Sequence, residues 1–308
     1  INTLVAVIAS AISASAPVIF ASVGESISQR SGILNLGLEG IMLTGAIVGY
    51  SVAINSQSLF LAVVSVLLVG ALLGLLYAFL TVTLRANQSV CGLAMVMFGV
   101  GLSGMLGKGV KAMADLPTFR KTPIPLLSNI PFIGDAFFKQ DYLIYTLYIL
   151  VPLLTWFVYK TRPGMQLRAL GENPAALDAM GKNVFTLRYL YTIFGSAIVA
   201  MGGAYITLAY TPSWTDEITA GKGWIAAAIV VFASWNPLKA ALGAILFGAV
   251  EVFALRMQSA GIAIPSNFLS MLPYVATVVV LILSTGNFRR RRHPMPSAIG
   301  INYDREAR

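Results

Sequence analysis

Nine apolar runs dominate this chain, near residues 3–24, 36–54, 59–84, 89–107, 142–159, 187–209, 222–235, 238–256 and 267–285. A helix needs about 20 residues to cross the hydrocarbon layer of a bilayer, and most of the runs have that length. The 222–235 run is short and reads as a broken or partial helix. In lipid every backbone N–H and C=O must find a partner inside the protein, so isolated apolar runs can only be helices there. The expected fold is all-α, a polytopic transmembrane helical bundle of about nine spans (eight to ten), with broken helices. Composition agrees: 57% of residues are hydrophobic and 11% charged, against about 25% charged in a soluble domain. A soluble core enclosing that much apolar surface would need a far larger chain.

The formal charge is +9. With nine spans, Arg30, Arg85, the 160–188 loop and the run "FRRRRHP" (288–294) share one side, which the positive-inside rule makes cytoplasmic. The N-terminus is then outside. The basic run suits anionic lipid headgroups. No aromatic platform accompanies it, so no nucleic acid is expected. Against this topology, the outer 108–141 loop also carries Lys108, Lys111, Arg120, Lys121 and Lys139. Its four prolines, Pro117, Pro123, Pro125 and Pro131, suggest an extended extracytoplasmic surface loop. The chain divides into a membrane domain, 1–286, and a basic cytoplasmic tail, 287–308. The opening 20 residues lack a basic n-region and read as a first span, not a signal peptide.

Catalytic chemistry has little to work with. The lone cysteine, Cys91, allows no intrachain disulfide, and the one histidine, His293, lies in the tail. Neither a zinc site nor an intramembrane Ser–His pair can be built. "GKG" at 107–109 and 221–223 lacks the spacing and the Ser/Thr of a P-loop. No enzyme, metal or chain-bound cofactor is expected.

Three carboxyls lie nearest the spans: Glu25, Glu39 and Glu251. An ionisable group at bilayer depth is costly and points to function. For Glu251, five residues from Arg256, snorkelling at a wet interface is the plainer reading. Glu39 is less ordinary. It sits in "SGILNLGLEG" (31–40), where Gly32, Gly37, Gly40 and Asn35 loosen a helix start. "TAGKGW" (219–224) interrupts the chain in the same way before the short span. Paired breaks in two halves of a transporter mark substrate paths. Small residues spaced for close helix packing explain them equally well.

One stretch, "RPGMQLRALGENPAALDAMGKN" (162–183), is polar between two oily neighbours. Asn173 is a good N-cap, Pro174 suits the first helical position, and Gly181 suits the position after the last turn. The spacing predicts a helix over 174–180. Leu170, Leu177 and Met180 are apolar knobs that two turns cannot bury, set among Arg168, Glu172 and Asp178. Such a helix either lies on the membrane surface or docks into a partner. A membrane chain without a P-loop needs an ATPase partner if ATP is to drive it.

These segments carry a resemblance. "SQRSGILNLGLEGIMLTGA" (28–46) resembles the signature of permease subunits of ABC importers, in the simple-sugar and nucleoside branch related to ribose and branched-chain amino-acid permeases. Residues 162–184 are similar to that family's coupling segment, and 221–248 and 264–283 to its C-terminal half. The resemblance implies a type II importer-like permease in the bacterial cytoplasmic (inner) membrane. It implies an ABC ATPase subunit holding ATP and Mg, a second permease subunit forming a heterodimer, and an extracytoplasmic substrate-binding lipoprotein or periplasmic protein. The motifs look nearer the nucleoside permeases, with simple sugar as the alternative and ion-coupled transport behind it. On this reading Arg168, Glu172, Asn173, Pro174, Leu177, Asp178 and Met180 engage the ATPase. Asn35, Gly37, Glu39, Gly221, Gly223 and Trp224 line the substrate path.

Overall fold

The computed structural model describes residues 2–110, 116–125, 127–259, 265–286 and 295–306. Each of the nine apolar runs coincides with a helix. The long ones are α1 (Asn2–Arg30), α2 (Leu38–Ser56), α3 (Leu59–Ala78), α4 (Gln88–Gly107), α6 (Tyr142–Lys160), α9 (Val184–Tyr205), α11 (Pro237–Ser259) and α12 (Ser266–Gly286). The short run is α10 (Lys222–Phe232), and α3 and α9 each end in a π-helical turn. Among the described residues, seven helices are long and apolar enough to cross a membrane, and α10 is apolar but shorter. Three small helices lie between the spans: α5 (Ile133–Phe137), α7 (Arg162–Glu172) and α8 (Pro174–Ala179).

Local sequence starts these helices where capping chemistry allows. Asp141 accepts from Leu143 N and Ile144 N, both at 3.0 Å, opening α6. Asn87 and Asn183 cap α4 and α9 in the same way, each accepting at 3.1 Å. Each cap satisfies one or two of the backbone donors that a helix start leaves orphaned.

The packing has an internal echo. α1 packs on α9, α10 and α11, while α9 packs on α1, α2 and α3. Exchanging α1–α4 with α9–α12 maps these contacts onto one another, and α1 and α9 run in opposite directions. This is the pattern of an inverted repeat, with the short α10 standing where α2 stands in the other half. α2 and α9 are the most enclosed spans, each 78% buried.

Without a hydrophobic drive between helices in lipid, close backbone approach supplies the attraction. Gly70 and Gly74 of α3 lie against Ser196, Ala197 and Ala200 of α9, and Gly248 of α11 lies against Ala11 and Ser15 of α1. A Cβ on Gly203 of α9 would run into the Met42 carbonyl of α2. Not every glycine packs: at Gly101 and Gly104 of α4 a Cβ would meet no neighbour within 4 Å.

Basic residues gather at one end. Arg85 Nη1 meets Asp304 at 2.5 Å, Arg188 donates to Ile301 O at 3.1 Å, and Arg30 donates to Tyr159 and Trp235. Residues 116–125 and 127–141 lie at the other end and are more ordered than their prolines suggest. Thr122–Pro123 pairs antiparallel with Lys139–Gln140. Gln140, fully buried, bonds Ser13 of α1 at 3.0 Å. The Arg289–Arg292 run and His293 lie outside the described residues.

Filling the α2–α9 crossing tests this packing. Gly203→Val should lower the yield of monodisperse protein in detergent and its melting temperature, with a cost of at least the ~1–3 kcal/mol of overpacking. Gly101→Ala should change neither.

Candidate functional site

Two regions hold the candidate side chains, one inside the bundle and one at its basic end. Inside, the chain leaves α1 in a turn at Ser31–Gly32, where Gly32 takes φ +88°, and continues without regular structure to Gly37 before α2 begins. Asn35 N donates to Glu25 Oε1 at 3.1 Å, and Leu34 N donates to Gln88 Oε1 at 2.7 Å. Asn35 Oδ1 accepts from Gly37 N at 2.8 Å, a local turn that sets up the first turn of α2. Glu39 follows there, 7% exposed.

The Glu39 carboxylate reaches the start of α10. Oε1 accepts from Thr219 Oγ1 at 2.5 Å and Gly221 N at 2.9 Å, and Oε2 accepts from Gly223 N at 2.7 Å. No side chain caps α10 from its own sequence, and Gly221 takes φ +79° at its N-cap. The orphan donors at that helix start therefore find their acceptor on the other half of the protein. A negative charge placed between two helix N-termini is favoured by both macrodipoles. Gly223 must be glycine for this, since a Cβ would stand 2.5 Å from Glu39 N.

The six residues singled out for the path are thus distributed unevenly. Glu39, Gly221 and Gly223 meet in one joint. Asn35 and Gly37 are buried in the turn leading to it, with Gly37 against Met95. Trp224 is 41% exposed on the outer face of α10.

Sequence reading missed the partner of Glu251. Lys222 Nζ lies 2.7 Å from both of its carboxylate oxygens, so the group is paired across α10 and α11 and does not snorkel alone. The signal was available: one lysine opening a short apolar helix calls for an acid at the same depth.

At the basic end, α8 forms as its sequence predicts, one residue shorter. Asn173 Oδ1 accepts from Ala176 N at 3.0 Å, Pro174 opens the helix, and Gly181 takes φ +77° after it. Not foreseen was α7, capped by Thr161, whose Oγ1 accepts from Gly164 N at 3.1 Å. A Thr two residues before Pro163 was its signal. Of the three apolar knobs, Leu170 and Leu177 turn inward and Met180 outward, with Leu170 fully buried. Leu177 is 3% exposed and packs with Ile27, Leu167 and Val184, whereas Met180 is 78% exposed. The Arg168 guanidinium sits 5.6 Å from the centre of the Tyr159 ring.

Residues 295–306 form a strap across this end. Asp178 accepts from Tyr303 OH at 3.0 Å and from Arg305 Nε and Nη2 at 2.8 and 2.6 Å. Glu172 accepts from Ser297 at 3.2 Å. Ala298 N donates to Gly171 O, Gly300 N to Gly32 O, and Asn302 reaches the carbonyls of Arg85 and Ala86. Ile299 packs with Trp235 and Val230. Nothing in the composition of the tail announces these contacts.

Residues 7–283 match the family described as branched-chain amino acid transport system / permease component. The chain is 37% identical to the nucleoside ABC transporter permease protein NupC of Lactococcus lactis, over 98% of both chains. It is 33% identical to TsgC13 of Haloferax volcanii, provisionally named a glucose ABC transporter permease protein, over 96% of both. It is 30% identical to the guanosine ABC transporter permease protein NupQ of Bacillus subtilis, over 94% of this chain and 93% of that one. Such permeases work with an ATPase and a substrate-binding partner. A multi-pass bundle with a capped helix at its basic end fits that part. The chain belongs to the branched-chain amino acid transport system / permease component family and is a membrane permease subunit of an ABC importer.

Proposed function

We propose that this subunit imports nucleosides, of the purine type first, across the bacterial cytoplasmic membrane. The observation that carries the substrate is the end-to-end likeness to NupC, joined by the likeness to NupQ. The likeness to TsgC13 favours simple sugars as the second reading. The permease pairs with a second, different permease subunit among the membrane lipids. Two ABC ATPases below hold the ATP and Mg, and an extracytoplasmic binding protein delivers the substrate.

The segment α7–α8 is the lever. Arg168, stacked on Tyr159 beside Arg30, fixes its root to α1 and α6. Asn173 and Pro174 start the terminal helix, and Leu177 seats it on the bundle. Met180, with the exposed Ala175 and Ala179, is the surface offered to the ATPase. Glu172 and Asp178 set its register through the strap. Closure of the ATPases on ATP pushes this surface. The push acts on the equilibrium between inward- and outward-open permeases by as much as ATP binds the two states unequally.

The path runs beside the joint where the two broken helices meet, past Asn35, Gly37, Glu39, Gly221, Gly223 and Trp224. Asn35 offers hydrogen bonds and Trp224 a ring face. Glu39 holds the two halves in register there.

Met180→Asp should cut ATP-driven uptake by about tenfold and weaken ATPase co-purification, while the permease still reaches the membrane, because this side chain is 78% exposed. Wild-type uptake by that variant would remove α8 as the lever. Glu39→Gln should lower the melting temperature of the purified protein, because an amide placed among backbone donors leaves buried groups unpaired, at about 1–3 kcal/mol. Trp224→Ala should reduce maximal uptake severalfold with the protein level unchanged. An unchanged rate and an unchanged substrate range would take Trp224 out of the path.

A further inference from the structure

The Lys222–Glu251 pair has no part in the Glu39 joint or in the lever. Its side chains are 10% and 22% exposed, and it joins the start of α10 to the middle of α11. A charged pair inside membrane spans is expensive, and those that persist face a path or a water-filled cavity. This one borders a cavity of about 340 Å³. Tyr210, Phe247, Tyr274 and Gln258 line the cavity beside it. The Phe247 ring carries the Lys222 ammonium 5.8 Å from its centre and stands edge-to-face with Tyr274 at 6.5 Å and 82°. Tyr274 OH donates to Ala220 O at 2.8 Å, which holds α12 against the loop entering α10.

We infer that this cavity is an intramembrane nucleoside site, with the aromatic rings taking the base and Glu251 taking the ribose hydroxyls. The inference rests on the nucleoside reading given above. The volume falls at the lower end of the ~300–1,000 Å³ typical of small-ligand sites. A base presents a π face that aromatic side chains stack on without regard to its edge pattern. A ribose diol presents two donors. A carboxylate has about four lone-pair positions, and Lys222 engages two of them. Gln258 adds a donor and an acceptor for a base edge. The charges of the pair cancel, which suits an uncharged ligand and provides no surplus for a phosphate. The cavity shares Ala220 and Lys222 with the loop that Glu39 holds, so a ligand there sits directly against the joint between the two halves.

The test has two arms. In the first, cells carrying the intact importer are given labelled adenosine, uridine and glucose. Uptake of glucose and of neither nucleoside would defeat the nucleoside reading itself. In the second, labelled adenosine and uridine are bound to the detergent-purified importer complex without its binding protein. Phe247→Leu and Tyr274→Leu should each raise Kd by about tenfold, the loss of one stacking partner. The swapped double variant Lys222→Glu with Glu251→Lys re-forms the ion pair but places an ammonium where the diol needs an acceptor. It should reach the membrane and bind at least ten times more weakly. Wild-type binding by the swapped protein would mean that the pair is only structural and would overturn the assignment. Should the swapped protein fail to reach the membrane, the ring variants decide alone. An unchanged Kd and an unchanged adenosine-to-uridine preference in both would overturn it, as would transport of nucleosides by a complex that binds none.

Discussion

A single carboxylate joins the two halves of this bundle where their broken helices begin. Both broken helices begin in the interior, where their first backbone donors cannot reach bulk water. α2 is entered through a turn in which Asn35 takes the N–H of Gly37, its N-cap residue. α10 has no cap of its own and takes Glu39 from across the repeat. The buried charge is tolerable because every donor it meets is fixed and aimed, and charge-assisted bonds of this kind are short and strong. Close passage of the two segments then requires glycine at 223, and the rest of the interior is arranged around that contact.

The same use of small residues recurs through the core. α3 on α9 and α11 on α1 are related contacts, and each relies on glycine, alanine or serine at the crossing. Van der Waals contact between backbones replaces the hydrophobic drive that lipid removes. Polar side chains are also admitted deep in this core. Glu25, Ser28, Thr192 and Ser196 are all completely buried along α1 and α9, so the central pair is not a purely apolar seam.

Much of this is legible in the residues, because the strongest signals are local. Apolar length gives the spans, and capping residues give α8 through Asn173, Pro174 and Gly181. The paired Gly-rich breaks point to a meeting of α2 and α10, and the structure brings Glu39 to Gly221 and Gly223. What stays hidden depends on distance along the chain. Leu177 and Met180 look alike in sequence, and only the packing of α8 on Ile27 and Val184 turns one inward and the other out. Sequence spacing finds Glu251 no partner on its own helix, since Arg256 lies five residues away, and its partner is Lys222 on another. The 108–141 stretch looks extended because of its four prolines, yet Gln140 anchors its end to α1. The strap has no periodicity to read at all.

The strap also sets an order of events. α8 is only six residues long, too short to persist by its own hydrogen bonds. Leu177 finds its neighbours on α1, α7 and α9, so the helix can be laid down early, but Asp178 and Glu172 are fastened by residues that leave the ribosome only after the spans have been made. Until then α8 is held from one side only. The fastening of this end of the bundle is thereby one of the last sets of contacts the chain can complete as it is synthesised.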